Sequence, residues 1–237
     1  MIAYGIFLAL ATAMSIAPEA RAIVSLLEAR YSARTLQATF LESYSENGRK
    51  VRAESGIVYF RRPGKMRWEY EAPEKNVFLV DGKTAWFYVP ADRTVTRVPA
   101  KQSTDWRTPL ALLAGEMKLS KVCKKIAYAS DEPPTTPFDA MLDCQLRGRG
   151  RHANGEVLSG KTGAAEPGES VYLEVVATSG ELVRIVVKDS GGIRIEFRFA
   201  KWQTDPHVED SLFRFQVPAG VAIVNGELAS GEKQVNP

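Results

Sequence analysis

Cysteine and histidine are both scarce in this chain: two of each in 237 residues. Cys123, Cys144, His152 and His207 show no C-x2-C or H-x3-H spacing, so the residues expected at a zinc centre are missing and no metal site is expected. No Ser or Cys sits in a nucleophile elbow, and the carboxylates Glu69, Glu71, Asp139 and Asp143 only alternate along strands as solvated faces do. Without a nucleophile, base or metal set to name, an enzyme is not expected, and no cofactor is expected either. Charge of one sign is also short: 31 Lys and Arg against 28 Asp and Glu leave +3, well interspersed. Nucleic acid would need a clustered basic stripe, so it is not an expected partner.

Long hydrophobic runs are missing as well. The longest, MIAYGIFLALATAMSIA at residues 1–17, falls short of the roughly 20 apolar residues of a membrane span. Small residues Ser15 and Ala17 at its end, with Pro18 next, fit a secretory signal peptide and its cleavage site. No cysteine lies near this point to take a lipid, so an exported, soluble, monomeric protein is expected. In an oxidising compartment Cys123 and Cys144 are then most simply one disulfide, which would contribute about 3 kcal/mol by shortening the unfolded chain's loop.

What the chain has in abundance is apolar strand. The segment PEARAIVSLLEARYSA places Ile23, Leu26, Leu27 and Tyr31 on one helical stripe. From Thr35 the period changes to two. Leu36, Ala38, Phe40 and Tyr44 share a face, and Asn47-Gly48 signals a hairpin into a return strand from Val51. Pro63-Gly64 reads as a type II turn before Met66, Trp68 and Tyr70, which alternate with charged residues. Asp81-Gly82 joins strands at Val77–Val80 and Thr84–Val89, and Asp92-Arg93 leads to Thr94–Val98. Thr108 to Ala114 reads as a short apolar helix with Pro109 at its first position. Further strands are expected around Cys123, around Cys144, at Val171–Ala177, Leu182–Lys188, Ile193–Phe199 and Phe213–Val217. Residues 148–170 read as a long polar loop, and the tail from Glu227 as frayed. One domain over residues 18–226 follows.

Within that long loop, Gly155 to Thr162 matches G-x-x-x-x-G-K-T, the phosphate-loop pattern. No buried strand precedes it and Pro167-Gly168 would end any helix after it, so the match carries no nucleotide site. The segment from Gly56 to Pro90 is the stronger signal. Its strands are apolar and aromatic on both faces, more than a simple core requires, and few helices are available to cover them. An acyl chain suits such a surface, since each buried methylene contributes about 0.8 kcal/mol without directional demands.

Three groups of residues are similar to the LolA family of periplasmic outer-membrane lipoprotein carriers. They are Gly56 with Arg62-Pro63 and Trp68; Val80-Asp81-Gly82-Lys83-Thr84 with Trp86-Phe87-Tyr88; and Thr108-Pro109-Leu110 with the ending Phe213 to Val221. The resemblance runs from about Ile23 to Val224. It implies a mainly β (α+β) fold: an unclosed antiparallel β-barrel with a lid of short helices over an apolar cavity. It also implies a carrier that takes lipidated proteins from an inner-membrane ABC exporter, shields their acyl chains across the periplasm, and passes them to an outer-membrane acceptor. A related sensor or regulatory module, or a carrier of another lipid, is the alternative.

On alternation, Phe40, Tyr59, Met66, Trp68, Tyr70, Leu79, Phe87, Leu110, Leu113, Ile195 and Phe197 are expected to line the cavity and lid. The family's arginine before proline, which latches the lid, falls on Arg62. The loop at 148–170 is longer than the family pattern, Met66 replaces a commonly larger apolar residue, and the cysteine pair is not a general feature of the family.

Overall fold

A computed structural model describes residues 20–100, 114–115, 118–119, 123–146, 170–189 and 191–225. The segment 1–17, the helix at 108–114 except Ala114, His152, nearly all of the 148–170 loop and the tail from Glu227 lie outside the described residues.

Helix α1 spans Ala20–Arg30. Its buried residues are Ile23, Val24 and Leu27, and Tyr31 continues the stripe just beyond the last turn. Leu26, expected on that stripe, is 42% exposed. The contact arc is centred one residue over, so Val24 takes its place.

Twelve strands follow: β1 Thr35–Glu46, β2 Arg49–Arg61, β3 Lys65–Ala72, β4 Val77–Asp81, β5 Thr84–Val89, β6 Thr94–Pro99, β7 Cys123–Tyr128, β8 Asp139–Leu146, β9 Ser170–Val176, β10 Leu182–Lys188, β11 Ile193–Thr204 and β12 Ala222–Asn225. They form one sheet in the order β12-β6-β5-β4-β3-β2-β1-β11-β10-β9-β8-β7. All neighbours pair antiparallel except β12, which runs parallel to β6. The edges β12 and β7 do not meet, so the barrel is unclosed, as expected.

Local chemistry accounts for the hairpins. Asn47 and Gly48 both have positive φ, 49° and 77°, which is what a two-residue turn matching strand twist requires. At the β4–β5 turn the Asp81 carboxylate accepts the amides of Lys83 and Thr84, each at 2.8 Å, and the Trp86 indole N–H at 3.1 Å. Burial opposes ionisation there, but these donors outweigh it and hold the Asp81 pKa below the ordinary carboxylate value. The turn before β3 differs from expectation: the Arg62–Pro63 peptide is cis, so the all-trans type II turn does not form.

Cys123 and Cys144 are bonded, with Cα atoms 5.3 Å apart, and tie β7 to β8.

The sheet has two covered faces. On one, α1 packs against a core that includes Leu36, Ala38 and Phe40 of β1, Val58 and Phe60 of β2, and Ile185 and Phe197 on the far side. Gly56 sits on this face opposite Phe40. A Cβ there would fall 1.9 Å from the Glu69 carbonyl oxygen. Its absence lets β2 and β3 approach where the register shifts between Ser55 and Gly56.

Two chain segments cover parts of the other face. Over β3–β5 lies the stretch from Val208 to Phe215. It forms a 3-10 turn at Asp210–Phe213 and then runs on without pairing, so the strand expected at Phe213–Val217 is not formed. Phe213 is fully buried and lies under the Arg61 guanidinium, 4.8 Å from the ring centre, while Phe215 stacks on Trp86 at 5.3 Å. Burying these two rings holds the segment on the sheet's surface, and β12 is the strand that pairs.

Over β9–β11 lies the loop from Ala129 to Phe138, held mainly by charge. Arg194 donates to both oxygens of Glu132, at 2.7 and 2.9 Å, and Lys188 reaches Glu132 at 2.8 Å. Arg184 spans the fully buried Glu174 and the Pro133 carbonyl, the latter at 2.8 Å. A buried charge is tolerated only when so fully paired. The Arg194 hydrogen bonds lower the Glu132 pKa to about 2 from 4.5, against the opposing effect of burial.

Gly56→Ala is expected to lower stability by about 1–3 kcal/mol, the usual cost of overpacking, and urea unfolding will measure it. The Glu132 carboxylate titrates lower folded than unfolded, so its stabilisation is complete above its unfolded pKa, near 4.5, and is lost as pH falls from there toward 2. Glu132→Gln should be less stable than the parent at pH 7, with the difference shrinking across that window. Parallel denaturant titrations at pH 7 and pH 3 test this, and an equal deficit at both would show the charge is not the anchor.

Candidate functional site

The face beneath α1 carries the aromatic residues that alternation picked out. Register fixes their order across the strands. Phe40 lies opposite Gly56, which lies opposite Tyr70; Val58 lies opposite Trp68, which lies opposite Phe78; Phe78 lies opposite Phe87. Trp68 is the centre of this surface. It is edge-on to Phe40 at 4.7 Å, to Phe60 at 6.0 Å and to Phe197 at 5.5 Å, and tilted to Phe199 at 6.2 Å. Such edge-to-face pairs add about 0.5–1.5 kcal/mol each beyond area burial.

Of the expected lining residues, Phe40, Trp68, Tyr70, Ile195 and Phe197 are in this core, with Met66 and Phe87 half-buried against it. Leu110 and Leu113 lie outside the described residues. Tyr59 and Leu79 were placed on the wrong face. Tyr59 pairs with Arg67 and Gln37, and Leu79 with Arg67 and Trp86, so both point to the side opposite α1. Leu79 is nonetheless fully buried, because the C-terminal segment covers that side. Their neighbours Val58, Phe60, Phe78 and Val80 hold the α1 face instead. β4, reading Val-Phe-Leu-Val, is apolar at every alternating position, so its pattern does not distinguish the two faces.

Reasoning from sequence missed two features of this surface. Beyond Tyr70 the face turns polar: Glu42, only 3% exposed, accepts the Tyr70 hydroxyl at 2.9 Å, and Arg52 lies 3.9 Å from the same carboxylate. Glu42 follows Phe40 on one face by alternation, which was the available signal. Trp202 was also missed. Its indole N–H donates to the Leu182 carbonyl at 2.9 Å and its ring meets Tyr31 edge-on at 4.7 Å. The Tyr31 hydroxyl in turn accepts the Leu182 amide at 2.9 Å, and its burial pushes its pKa up.

These contacts fasten the C-terminal end of α1 to β10 and β11. Arg30 pairs with Glu181 at 2.6 Å, and a Cβ on Gly180, whose φ is 71°, would lie 2.6 Å from the Leu26 carbonyl carbon. The helix therefore rests directly on the turn between β9 and β10.

Arg62 sits at the rim between α1 and residues 114–115. Its Nε donates to the Ala33 carbonyl at 3.0 Å and its terminal nitrogen to the Tyr31 carbonyl. Its stem fills the space a side chain on Gly115 would need, since a Cβ there would come within 2.5 Å of the Arg62 Cγ. The neighbouring Gly64 amide donates to the Ala114 carbonyl at 2.9 Å. One guanidinium thus links the β2–β3 turn to the end of α1 and packs on the residues that follow the 101–113 segment. Five donors on a rigid fork suit this bridging role better than a lysine's point charge.

Among the described residues, no group of three or more His, Cys, Asp or Glu could hold a metal ion. Nor is any described helix long and apolar enough to cross a membrane.

Residues 31–136 match the family described as outer membrane lipoprotein carrier protein LolA. A curated outer-membrane lipoprotein carrier protein of Dechloromonas aromatica is 29% identical over 194 residues, covering 81% of each chain. That of Methylococcus capsulatus is also 29% identical, over 195 residues, covering 81% of this chain and 82% of the relative. The chain belongs to the LolA family. In keeping with that, the crystal structure of an uncharacterized conserved protein from Thermus thermophilus shares the fold. It superposes with a TM-score of 0.50 at 15% identity, covering 87% of this chain and 99% of its own. The LolA match includes Arg62, Trp68 and the Asp81 turn, the residues whose geometry is described above.

Proposed function

We propose that this LolA-family chain is a periplasmic carrier that holds the acyl chains of lipoproteins against the aromatic face beneath α1. The observation that carries this reading is that face itself: Phe40, Phe60, Trp68, Phe197 and Phe199 packed edge to edge around one indole, on a sheet whose edges stay unpaired. The relatives named as outer-membrane lipoprotein carriers support it. An acyl chain displaces only ring–ring and ring–helix contacts there, and each methylene it buries offsets part of that loss by about 0.8 kcal/mol.

In this reading the carrier receives lipoproteins from an inner-membrane ABC exporter and delivers them to an outer-membrane acceptor, doing no covalent chemistry. Met66 and Phe87, half-buried at the margin of the core, adjust to chains of different length, as a flexible thioether does well. Leu110 and Leu113 supply the lid, and Arg62 is its latch. While the guanidinium holds the Tyr31 and Ala33 carbonyls, α1 and residues 114–115 stay over the face. Cargo entry breaks those bonds, and their re-formation favours release. Hydrogen bonds to a charged group are each worth about 1.5–3 kcal/mol, enough to bias an equilibrium without locking it.

Native mass spectrometry of protein purified from the periplasm is expected to show an acylated protein or lipid adduct, and the purified protein to extract lipoprotein from inner-membrane vesicles. Bare protein with no extraction would remove the carrier function, and a bound glycolipid would instead name another amphiphile. Arg62→Leu is expected to fold, to bind cargo and to transfer it several-fold more slowly, consistent with loss of about 1–2 kcal/mol of re-closing free energy. Transfer at the parental rate would eliminate the latch.

A further inference from the structure

Among the described tryptophans, one differs in its polar atom. The Trp86 indole N–H donates to Asp81 and the Trp202 indole N–H to the Leu182 carbonyl. Trp68 is 1% exposed, and its Nε1 is buried with no acceptor. Its ring contacts are Phe40, Phe60, Phe197 and Phe199, which offer at most the weak π-face of a benzene ring. A buried donor left unpaired costs about 1–3 kcal/mol, and a phenylalanine would fill much of the same space without that cost. The fold does satisfy polar atoms on this face two residues along, where the Tyr70 hydroxyl donates to Glu42 at 2.9 Å.

From this we infer that the Trp68 indole N–H is the hydrogen-bond donor to the carbonyl of a bound acyl chain, the ester or amide C=O at which the chain joins its polar head. This rests on the acyl-carrier reading and assigns its polar contact point. The chemistry of the surroundings selects the ligand group. A single neutral donor ringed by hydrocarbon cannot compensate the desolvation of a carboxylate or phosphate. A carbonyl is neutral, accepts one bond well, and is the one polar atom an acyl chain must bring into an apolar site. Binding then removes the orphaned donor and leaves the methylenes against the flanking phenyl rings. The consequence is selectivity for acyl over alkyl chains, a distinction that hydrophobic burial alone does not make.

The test uses two synthetic lipopeptides on one cysteine-containing peptide, one carrying two palmitoyl ester chains on its thioether-linked glyceryl group and the other the matching hexadecyl ether chains. Their affinities for the full protein are measured by calorimetry with the lipopeptides below their aggregation threshold. The wild type is expected to prefer the ester by roughly tenfold, the factor that gaining one hydrogen bond and relieving one orphaned donor implies. Trp68→Phe should bind both probes alike. Because that variant also loses volume, benzothienylalanine at position 68, which puts sulfur in place of the N–H within the same ring shape, serves as the second variant. It should likewise lose the preference while unfolding at the wild-type temperature. A carbonyl-labelled ester should show its infrared stretch at lower wavenumber on the wild type than on either variant. Retained ester preference in the variants, or no preference in a wild type that binds both probes, overturns the assignment and leaves the carrier reading standing. A wild type that binds neither probe overturns both.

Discussion

An open sheet with apolar residues on both faces must be covered on both faces, and most of this structure follows from that constraint. A closed barrel would hide its interior by curvature and leave its outside to water. Here β12 and β7 stay apart, so covering falls to segments that are not strands. α1 covers one side, the Val208–Phe215 stretch covers part of the other, and the Ala129–Phe138 loop covers more of it. The means differ by location. α1 and the C-terminal stretch are held largely by buried rings and aliphatic side chains, whereas the 129–138 loop is held by paired charges around Glu132, Glu174 and Arg184.

That division bears on function. The charged cover rests on fully paired ions whose individual loss would strand a partner in a poor dielectric, so it is built to stay. The cover over the aromatic face is fastened at one end, through Tyr31, Trp202 and the Arg30–Glu181 pair. At its rim it depends on a single arginine contacting carbonyls. Hydrophobic contacts are non-directional and a lipid can replace them, whereas Arg62 contacts specific atoms. Movement concentrated at that rim is therefore the least costly way to admit a ligand.

Much of this was legible in the chain. Period-two alternation located nearly every strand, Asn47-Gly48 and Asp81-Gly82 located hairpins, and the groups around Gly56, Asp81 and Phe213 pointed to the family. Alternation divides a strand into two sets of residues but does not say which set faces inward. In β3 the charged set Lys65, Arg67 and Glu69 resolves the question, and Met66, Trp68 and Tyr70 were placed correctly. In β2 and β4 both sets are apolar, and Tyr59 and Leu79 went to the wrong side. The ending Phe213 to Val217 misled for a related reason, because its alternating phenylalanines anchor a covering segment as readily as they would a strand.

By itself, then, the sequence determined the fold class, the family and the absence of a recognisable catalytic set, because these depend on local periodicity, turn chemistry and residue types in order. Only the tertiary structure decided which face of each apolar strand lies under the helix, that Glu42 and Tyr70 end that face with a polar pair, and that Trp68 keeps its N–H unpaired. Each of those depends on which distant segment lies above a given side chain, and such contacts between residues far apart in the chain leave no periodic trace within it.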